Sequence, residues 1–131
     1  MPQYLALDVE CAATGRGHND RAPCHVALVN QDGLVLLNET IFVPSVFHPL
    51  TQYSGMTTEQ IEKGIPLSVA VARLRTLCCP DTVLVGQSVG SDIGWMQLRQ
   101  GVDYTQCHVS LENRHCPQPH CGSGRDVPHV E

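Results

Sequence analysis

The stretch that decides the fold is residues 5–15, LALDVECAATG. It continues a β-prone run that begins at residue 3, and over residues 3–9 apolar side chains alternate with others as on a strand. Asp8 and Glu10 stand two residues apart, so on a strand both side chains project from the same face. Two neighbouring acids repel each other unless a cation lies between them. The pattern indicates either a cation site or an edge strand with one solvated face.

Two more strands follow after a loop over residues 14–23. CHVALVN (24–30) and LVLLNETIFVP (34–44) flank the turn QDG at 31–33. An Asp-Gly turn between two apolar runs predicts an antiparallel hairpin. We expect the first strand to pair with residues 24–30 in the same antiparallel way.

Helical patterns begin after Pro49. Thr57 and Gln60 have the spacing of a capping box, which predicts the start of a helix. Gly64 and Pro66 separate that helix from an amphipathic one of about three turns, in which apolar residues recur at helical spacing up to residue 78.

A buried strand, TVLVG (82–86), is expected to lie parallel to the first, and a helix is expected over about 92–100. Strands interleaved with helices predict an α/β fold with a mixed sheet flanked by helices. Asp92 lies at the strand-to-helix junction, where such sheets commonly place their sites. Taken alone, Asp92 is better explained by the helix dipole, but with Asp8 and Glu10 it suggests three converging carboxylates suited to Mg²⁺ or Mn²⁺.

Composition limits the classes of function. The chain has 131 residues, enough for one domain, and its net charge of −5 argues against binding nucleic acid mainly through a basic surface. It has neither an apolar run of membrane-spanning length nor a secretory signal pattern, so we expect no membrane partner. The seven cysteines form no CxxC pair, which favours reduced thiols and an intracellular location.

Four segments in order resemble the DEDD-type 3′→5′ exonucleases of the ribonuclease T-like superfamily, most closely the eukaryotic RNA exonuclease branch. The similarity runs from residue 4 to about residue 105. The segments are LALDVECAATG (5–15), CHVALVNQDGLVLLNETIFVP (24–44), YSGMTTEQIEKGIP (53–66) and LVGQSVGSDIGWMQL (84–98).

The resemblance implies a ribonuclease H-like mixed sheet, with an exonuclease-like domain over residues 1–105 that is truncated at its C-terminal side. It also implies hydrolysis of RNA or DNA phosphodiester bonds from a single-stranded 3′ end by two Mg²⁺ or Mn²⁺ ions. Asp8, Glu10 and Asp92 match the catalytic metal ligands of the family. The stretch of Glu10, Cys11 and Ala12 matches the part that packs against the terminal nucleotide. The family further suggests RNA processing in the nucleus or nucleolus, although the sequence has no Lys/Arg run that could act as a nuclear localisation signal.

The third motif of the family is missing. It consists of a general-base His followed five residues later by a fourth Asp, whereas His115 is followed at that spacing by His120, and His120 by Arg125. We therefore expect impaired hydrolysis in this chain. The alternatives are a non-catalytic module that binds nucleic acid or a protein partner, and an inactive product of splicing or of a gene-model error.

Residues 106–131 lose the periodic pattern and are interpreted as a disordered tail. They contain soft metal ligands that could suit Zn²⁺, although a chance cluster is the favoured interpretation because no finger-like spacing is present. These ligands are Cys107, His108, His115, Cys116, His120 and Cys121.

Overall fold

The computed structural model describes residues 2–109, which form a five-stranded mixed sheet with strand order β3-β2-β1-β4-β5. Within these residues, all four helices follow the first three strands in the chain, three of them before β4 and one after it. In chain order the elements are β1 (Gln3–Ala13), β2 (Arg21–Asn30), β3 (Val35–Thr40), α1 (Thr51–Ser54), α2 (Thr58–Glu62), α3 (Leu67–Leu77), β4 (Thr82–Gly86), α4 (Val89–Trp95) and β5 (Gln106–Val109).

The predicted strand pairings are confirmed. β1 is the central strand and pairs antiparallel with β2, which pairs antiparallel with β3. The turn between β2 and β3 closes with the Gly33 N–H donating to the Asn30 carbonyl at 3.0 Å, and Gly33 has a φ of 85°, a conformation that favours glycine. On its other side β1 runs parallel to β4, from Gln3 opposite Thr82 to Ala6 opposite Val85.

The first two strands are longer than the sequence indicates. β1 continues past the predicted end at residue 9 to Ala13, and β2 begins at Arg21 rather than at residue 24. A bulge between Glu10 and Cys11 separates the two parts of their pairing. Residues 11–13 have little β-propensity of their own, and Ala12 is fully buried in a second core cluster. Their extended conformation therefore comes from cross-strand pairing and burial.

The capping box that begins α2 is present. The Thr57 side chain accepts from the Gln60 N–H at 3.2 Å, and Gln60 Oε1 accepts from the Thr57 N–H at 2.8 Å. The predicted helix over 67–78 is α3, which starts directly after Pro66. The four-residue α1 lies in the region after Pro49 where helical patterns begin, but it was not predicted as a separate helix.

The bounds predicted for the last helix are wrong. α4 spans Val89–Trp95 instead of about 92–100. Val89 is fully buried, and this burial stabilises a helix that starts three residues earlier than predicted, although Gly90 and Ser91 are poor helix formers. After Met96 the chain leaves the helix at Gln97, whose φ is 59°.

The main core lies between one face of the sheet and the helices α3 and α4. β1 contributes Leu5, Leu7 and Val9, the side chains that alternate with Asp8 and Glu10. Leu74 of α3 and Ile93 of α4 pack in the same cluster. The burial alternation of β1 therefore sends its two acids away from the apolar layer.

A buried carboxylate, Asp103, joins α3 to the segment between α4 and β5. Asp103 accepts from the Arg99 N–H at 2.9 Å and from Arg99 Nε at 3.2 Å, and Arg75 Nε of α3 lies 3.8 Å away. The side chain of Asp103 is 6% exposed, so these arginines supply the charge that its burial requires.

β5 lies within the segment that the sequence analysis assigns to a tail. Residues 106–109 pair parallel with β4, from Val83 opposite Gln106 to Gly86 opposite Val109. Residues 110–131 lie outside the described part of the chain, and with them His115, His120 and most of the possible zinc ligands. No helix in residues 2–109 is long and apolar enough to cross a membrane.

Candidate functional site

The candidate site lies where β1 extends beyond its parallel neighbour. The ladder between β1 and β4 ends at Ala6 and Val85, and β4 itself ends at Gly86. A Cβ atom at Gly86 would lie 2.7 Å from the carbonyl oxygen of Leu7, so only glycine allows the two backbones to approach this closely. The following residues of β1, Asp8 to Glu10, therefore line an edge of the sheet that α4 can reach.

Asp8 and Glu10 are in direct contact. Their side chains share a hydrogen bond, Asp8 is exposed and Glu10 is half-buried. Two carboxyl groups can share a hydrogen bond only when one of them is protonated. Burial, together with the charge of Asp8 and this hydrogen bond, raises the pKa of Glu10 to about 7. At neutral pH the pair is therefore poised to release a proton.

Asp92 reaches the same edge from the first turn of α4. It is 7% exposed, and its Oδ2 atom has no hydrogen-bond partner within residues 2–109. Burial, together with the charges of Asp8 and Glu10, raises the pKa of Asp92 to about 8, against the lowering effect of a hydrogen bond from the Val9 backbone. The structure thus brings together the three acids that the sequence singled out.

The chemistry of these donors fits a divalent cation. The three acids supply hard carboxylate oxygens, one of which is buried without a partner. A cation would replace the proton that Asp8 and Glu10 share and would offset the repulsion felt by Asp92. As the side chains stand, no group of three or more His, Cys, Asp or Glu residues in residues 2–109 is arranged to hold a metal ion. Metal binding therefore requires a change of side-chain rotamers, which the exposed Asp8 allows.

The predicted nucleotide-binding stretch has mixed exposure. Cys11 is partly buried, and burial raises the pKa of its thiol to about 12, so it is protonated at neutral pH. Ala12 is fully buried, so its side chain faces the core, and any contact with a nucleotide would have to come from its backbone. Of the three residues, only Glu10 and Cys11 have partly exposed side chains.

Sequence reasoning missed the groups that hold Asp92 in place. The Val9 backbone N–H carries no sequence signal, and Gly86 was recognised only as the end of a strand. Arg21 was assigned to a loop, yet it belongs to β2 and its charge acts on Cys11. The one available signal was the glycine between a buried strand and a helix, which often marks a close backbone approach.

No protein-family model matches the sequence, and no curated protein matches it at a significant level. Solved structures of exonucleases are similar to the chain in three dimensions. The RNA exonuclease module of Saccharomyces cerevisiae Pan2, with its pseudoubiquitin hydrolase, superposes with a TM-score of 0.60 at 12% identity over 86% of this chain and 20% of that one. E. coli exonuclease I in complex with a dT13 oligonucleotide gives a TM-score of 0.52 at 16% identity over 69% of this chain and 21% of that one.

These similarities concern the fold. The chain spans about a fifth of the length of either structure. Its mixed five-stranded sheet flanked by helices matches these exonuclease structures, which confirms the predicted α/β, ribonuclease H-like fold class. The structural neighbours are exonucleases, whereas the eukaryotic RNA exonuclease branch remains a prediction.

Proposed function

We propose that this chain binds the 3′ end of single-stranded RNA or DNA and hydrolyses its phosphodiester bonds slowly, with Mg²⁺ or Mn²⁺ held by Asp8, Glu10 and Asp92. The observation that carries the proposal is the meeting of three acids at one strand end, where one is buried with an unpartnered oxygen. Three carboxylates held this close together destabilise the metal-free protein, because their charges repel each other. A bound divalent cation would offset that repulsion, so this arrangement is the one expected of a cation site.

Each residue has a role in this proposal. When bound, the metal would lower the pKa of a water molecule and neutralise charge on the scissile phosphate. Asp8 and Glu10 supply oxygens from the strand, and Asp92, held by the Val9 N–H, fixes the side of the site next to α4. Burial of Asp92 reduces the water around the site, which strengthens its electrostatic interactions.

Metal binding tests the donor set directly. Calorimetric titration with Mn²⁺ should show binding that Asp8→Ala weakens by at least about tenfold, a loss comparable with that for supporting residues of metal sites. Asp81→Asn is the matched control, because Asp81 is an exposed acid at the opposite end of β4. Equal Mn²⁺ affinity in the Asp8→Ala variant and the unaltered chain would contradict the assignment of Asp8 as a metal ligand.

The rate of hydrolysis tests the expected impairment. General-base catalysis typically contributes about 10²–10⁴-fold. We expect slow, Mn²⁺-dependent shortening of single-stranded RNA from its 3′ end, faster by roughly that factor when the chain is extended by a family-like segment containing His-x4-Asp. Equal rates for the two chains would mean that another group acts as the base.

A non-catalytic nucleic-acid-binding module is the second candidate. It is favoured by the absence of a His-x4-Asp pattern from the sequence and by the side-chain positions in residues 2–109, where no three acids are arranged to hold a metal ion. In that case the oligonucleotide binds, Mn²⁺ leaves its length unchanged, and Asp8→Asn does not alter the result.

A further inference from the structure

A cavity lies at the C-terminal end of β1. It is an open cavity of about 320 Å³ whose wall includes Arg16, Arg21, Phe47 and His48. Ala13, the last residue of β1, also lines it and is three residues beyond Glu10. At the rise of an extended strand, the cavity begins roughly 10 Å from the acid cluster.

The cavity wall is fixed to the strand that carries the acids. The Ala13 N–H donates to the His48 carbonyl at 2.8 Å, and the Phe47 N–H donates to the Ala13 carbonyl at 2.8 Å. The imidazole is oriented as well, because His48 Nδ1 accepts from the Leu50 N–H at 2.9 Å. A neutral His48 therefore carries its proton on Nε2, where it can donate to a ligand.

The cavity holds the arginines that lack an acidic partner. Within residues 2–109, Arg73, Arg75 and Arg99 form ion pairs with carboxylates, whereas Arg16 and Arg21 form none. Nη1 of Arg21 is held by the carbonyls of Gly17 and Asp20, each at 3.3 Å. In a chain with a net charge of −5, two arginines without an ion-pair partner line one cavity, and the nearby Asp20 carboxylate accepts from the Gly17 N–H at 2.9 Å rather than from a guanidinium group.

The cavity also presents an aromatic ring. Phe47 is 56% exposed, and its backbone bond to Ala13 keeps it beside the two arginines. Guanidinium groups for phosphates and an exposed ring for a base are the combination with which proteins bind single-stranded nucleic acid.

We propose that this cavity binds a nucleotide upstream of the 3′ end, with the base stacked on Phe47 and the backbone phosphates bound by Arg16 and Arg21. The inference rests on the proposed function, because the acid cluster on the same strand would receive the terminal nucleotide. The strand β1 then joins two sites, one for the scissile bond and one for the preceding nucleotides.

Binding of a fluorescently labelled single-stranded oligonucleotide, measured by anisotropy in EDTA to prevent cleavage, tests the arginines. Each phosphate contact on a single strand contributes about 0.7 to the slope of log K against log salt. The double variant R16Q/R21Q should therefore bind more weakly and reduce the magnitude of that slope by about 1.4. Lys63→Gln, which removes an exposed cation elsewhere, should leave both quantities unchanged.

Phe47→Ala should weaken binding by about tenfold, because it removes one base-stacking partner. Phe47→Leu keeps apolar bulk but lacks a ring, and it should also bind weakly. Melting curves of all variants establish that the fold is retained, since these side chains are exposed or only partly buried. Unchanged affinity and slope in the cavity variants, or no binding by the unaltered chain, would overturn the proposed subsite.

A separate substrate distinguishes failure of this subsite from failure of the proposed function. A p-nitrophenyl phosphodiester of a single nucleoside has no upstream nucleotide, so its Mn²⁺-dependent hydrolysis by the unaltered chain reports on the acid cluster alone. Hydrolysis together with unchanged binding in R16Q/R21Q refutes the cavity but leaves the function. Weaker binding in the variants without any hydrolysis supports the cavity and contradicts catalysis.

Discussion

Asp92 shows at the scale of one residue how a site can oppose folding. Its pKa is raised from the ordinary 3.8 to about 8, and that of Glu10 from 4.5 to about 7. At a pH between the ordinary and the raised pKa values, Asp92 and Glu10 are still protonated in the folded chain but have already lost their protons in the unfolded chain. By linkage, the free energy of unfolding contributed by the two groups must fall as pH rises through this window.

We therefore predict that metal-free protein becomes less stable between about pH 4 and pH 8 relative to the variant Asp92→Asn, which cannot ionise. At about 1.36 kcal/mol per pKa unit, the difference should approach roughly 5–6 kcal/mol at the upper end of this range. Urea unfolding of both proteins across this range measures it, with Asp32→Asn as an exposed control. A difference that stays constant with pH would show that Asp92 ionises normally.

Single residues also mark how far the sequence can predict the site. The same-face placement of Asp8 and Glu10 follows from the period of a strand, so it was predictable. The burial of Asp92 and its bond to the Val9 N–H depend on where α4 packs, which residue types alone do not specify. For the same reason Arg16 and Phe47, apart in sequence, gave no sign that they line one cavity.

At the scale of elements, the junction of β4 with β1 depends on one glycine. Gly86→Ala would place Cβ 2.7 Å from the Leu7 carbonyl, and overpacking of this kind costs about 1–3 kcal/mol. Because α4 follows β4 within three residues, we expect the displacement to move Asp92 and to weaken Mn²⁺ binding as well.

Gly64→Ala is the matched control, since its Cβ would lie 2.6 Å from backbone atoms of Ile41 and Phe42, away from the acids. Both variants should unfold at lower urea concentration, but only Gly86→Ala should change the Mn²⁺ affinity. If the two variants lose Mn²⁺ affinity equally, the junction has no special role in placing Asp92.

Elements defined by local signals were predictable, and those defined by tertiary contacts were not. The capping box of Thr57 and Gln60 and the Asp-Gly hairpin depend on neighbouring residues, and both are present. β5 has little pattern of its own and becomes a strand by pairing with β4. The early start of α4 likewise results from burial of Val89 against the core.

At the scale of the whole molecule, charge and fold act together. A net charge of −5 disfavours non-specific adhesion to nucleic acid, so the proposed binding depends on specific contacts at the strand end. The α/β class followed from the order of apolar runs, because strands and helices differ in period. The position of β1 between β2 and β4 followed from the two pairings predicted for it, whereas the place of β5 beside β4 required the structure.

The central position of β1 has a consequence for how the chain folds. Its antiparallel partner follows within a few residues, but its parallel partner starts at residue 82, opposite Gln3. Contacts between distant residues form against a larger loop-closure entropy, so we predict that the β1–β2–β3 meander forms in the transition state and β4 docks later.

Stopped-flow measurements should therefore find that Leu28→Ala in β2 slows folding, whereas Leu84→Ala in β4 mainly accelerates unfolding. The reverse pattern would place β4 in the nucleus. During synthesis the same order leaves one edge of β1 without its neighbour until four-fifths of the described chain has been made. Over that interval the edge presents open backbone groups to other chains, which makes the nascent protein most prone to aggregate just before its site can assemble.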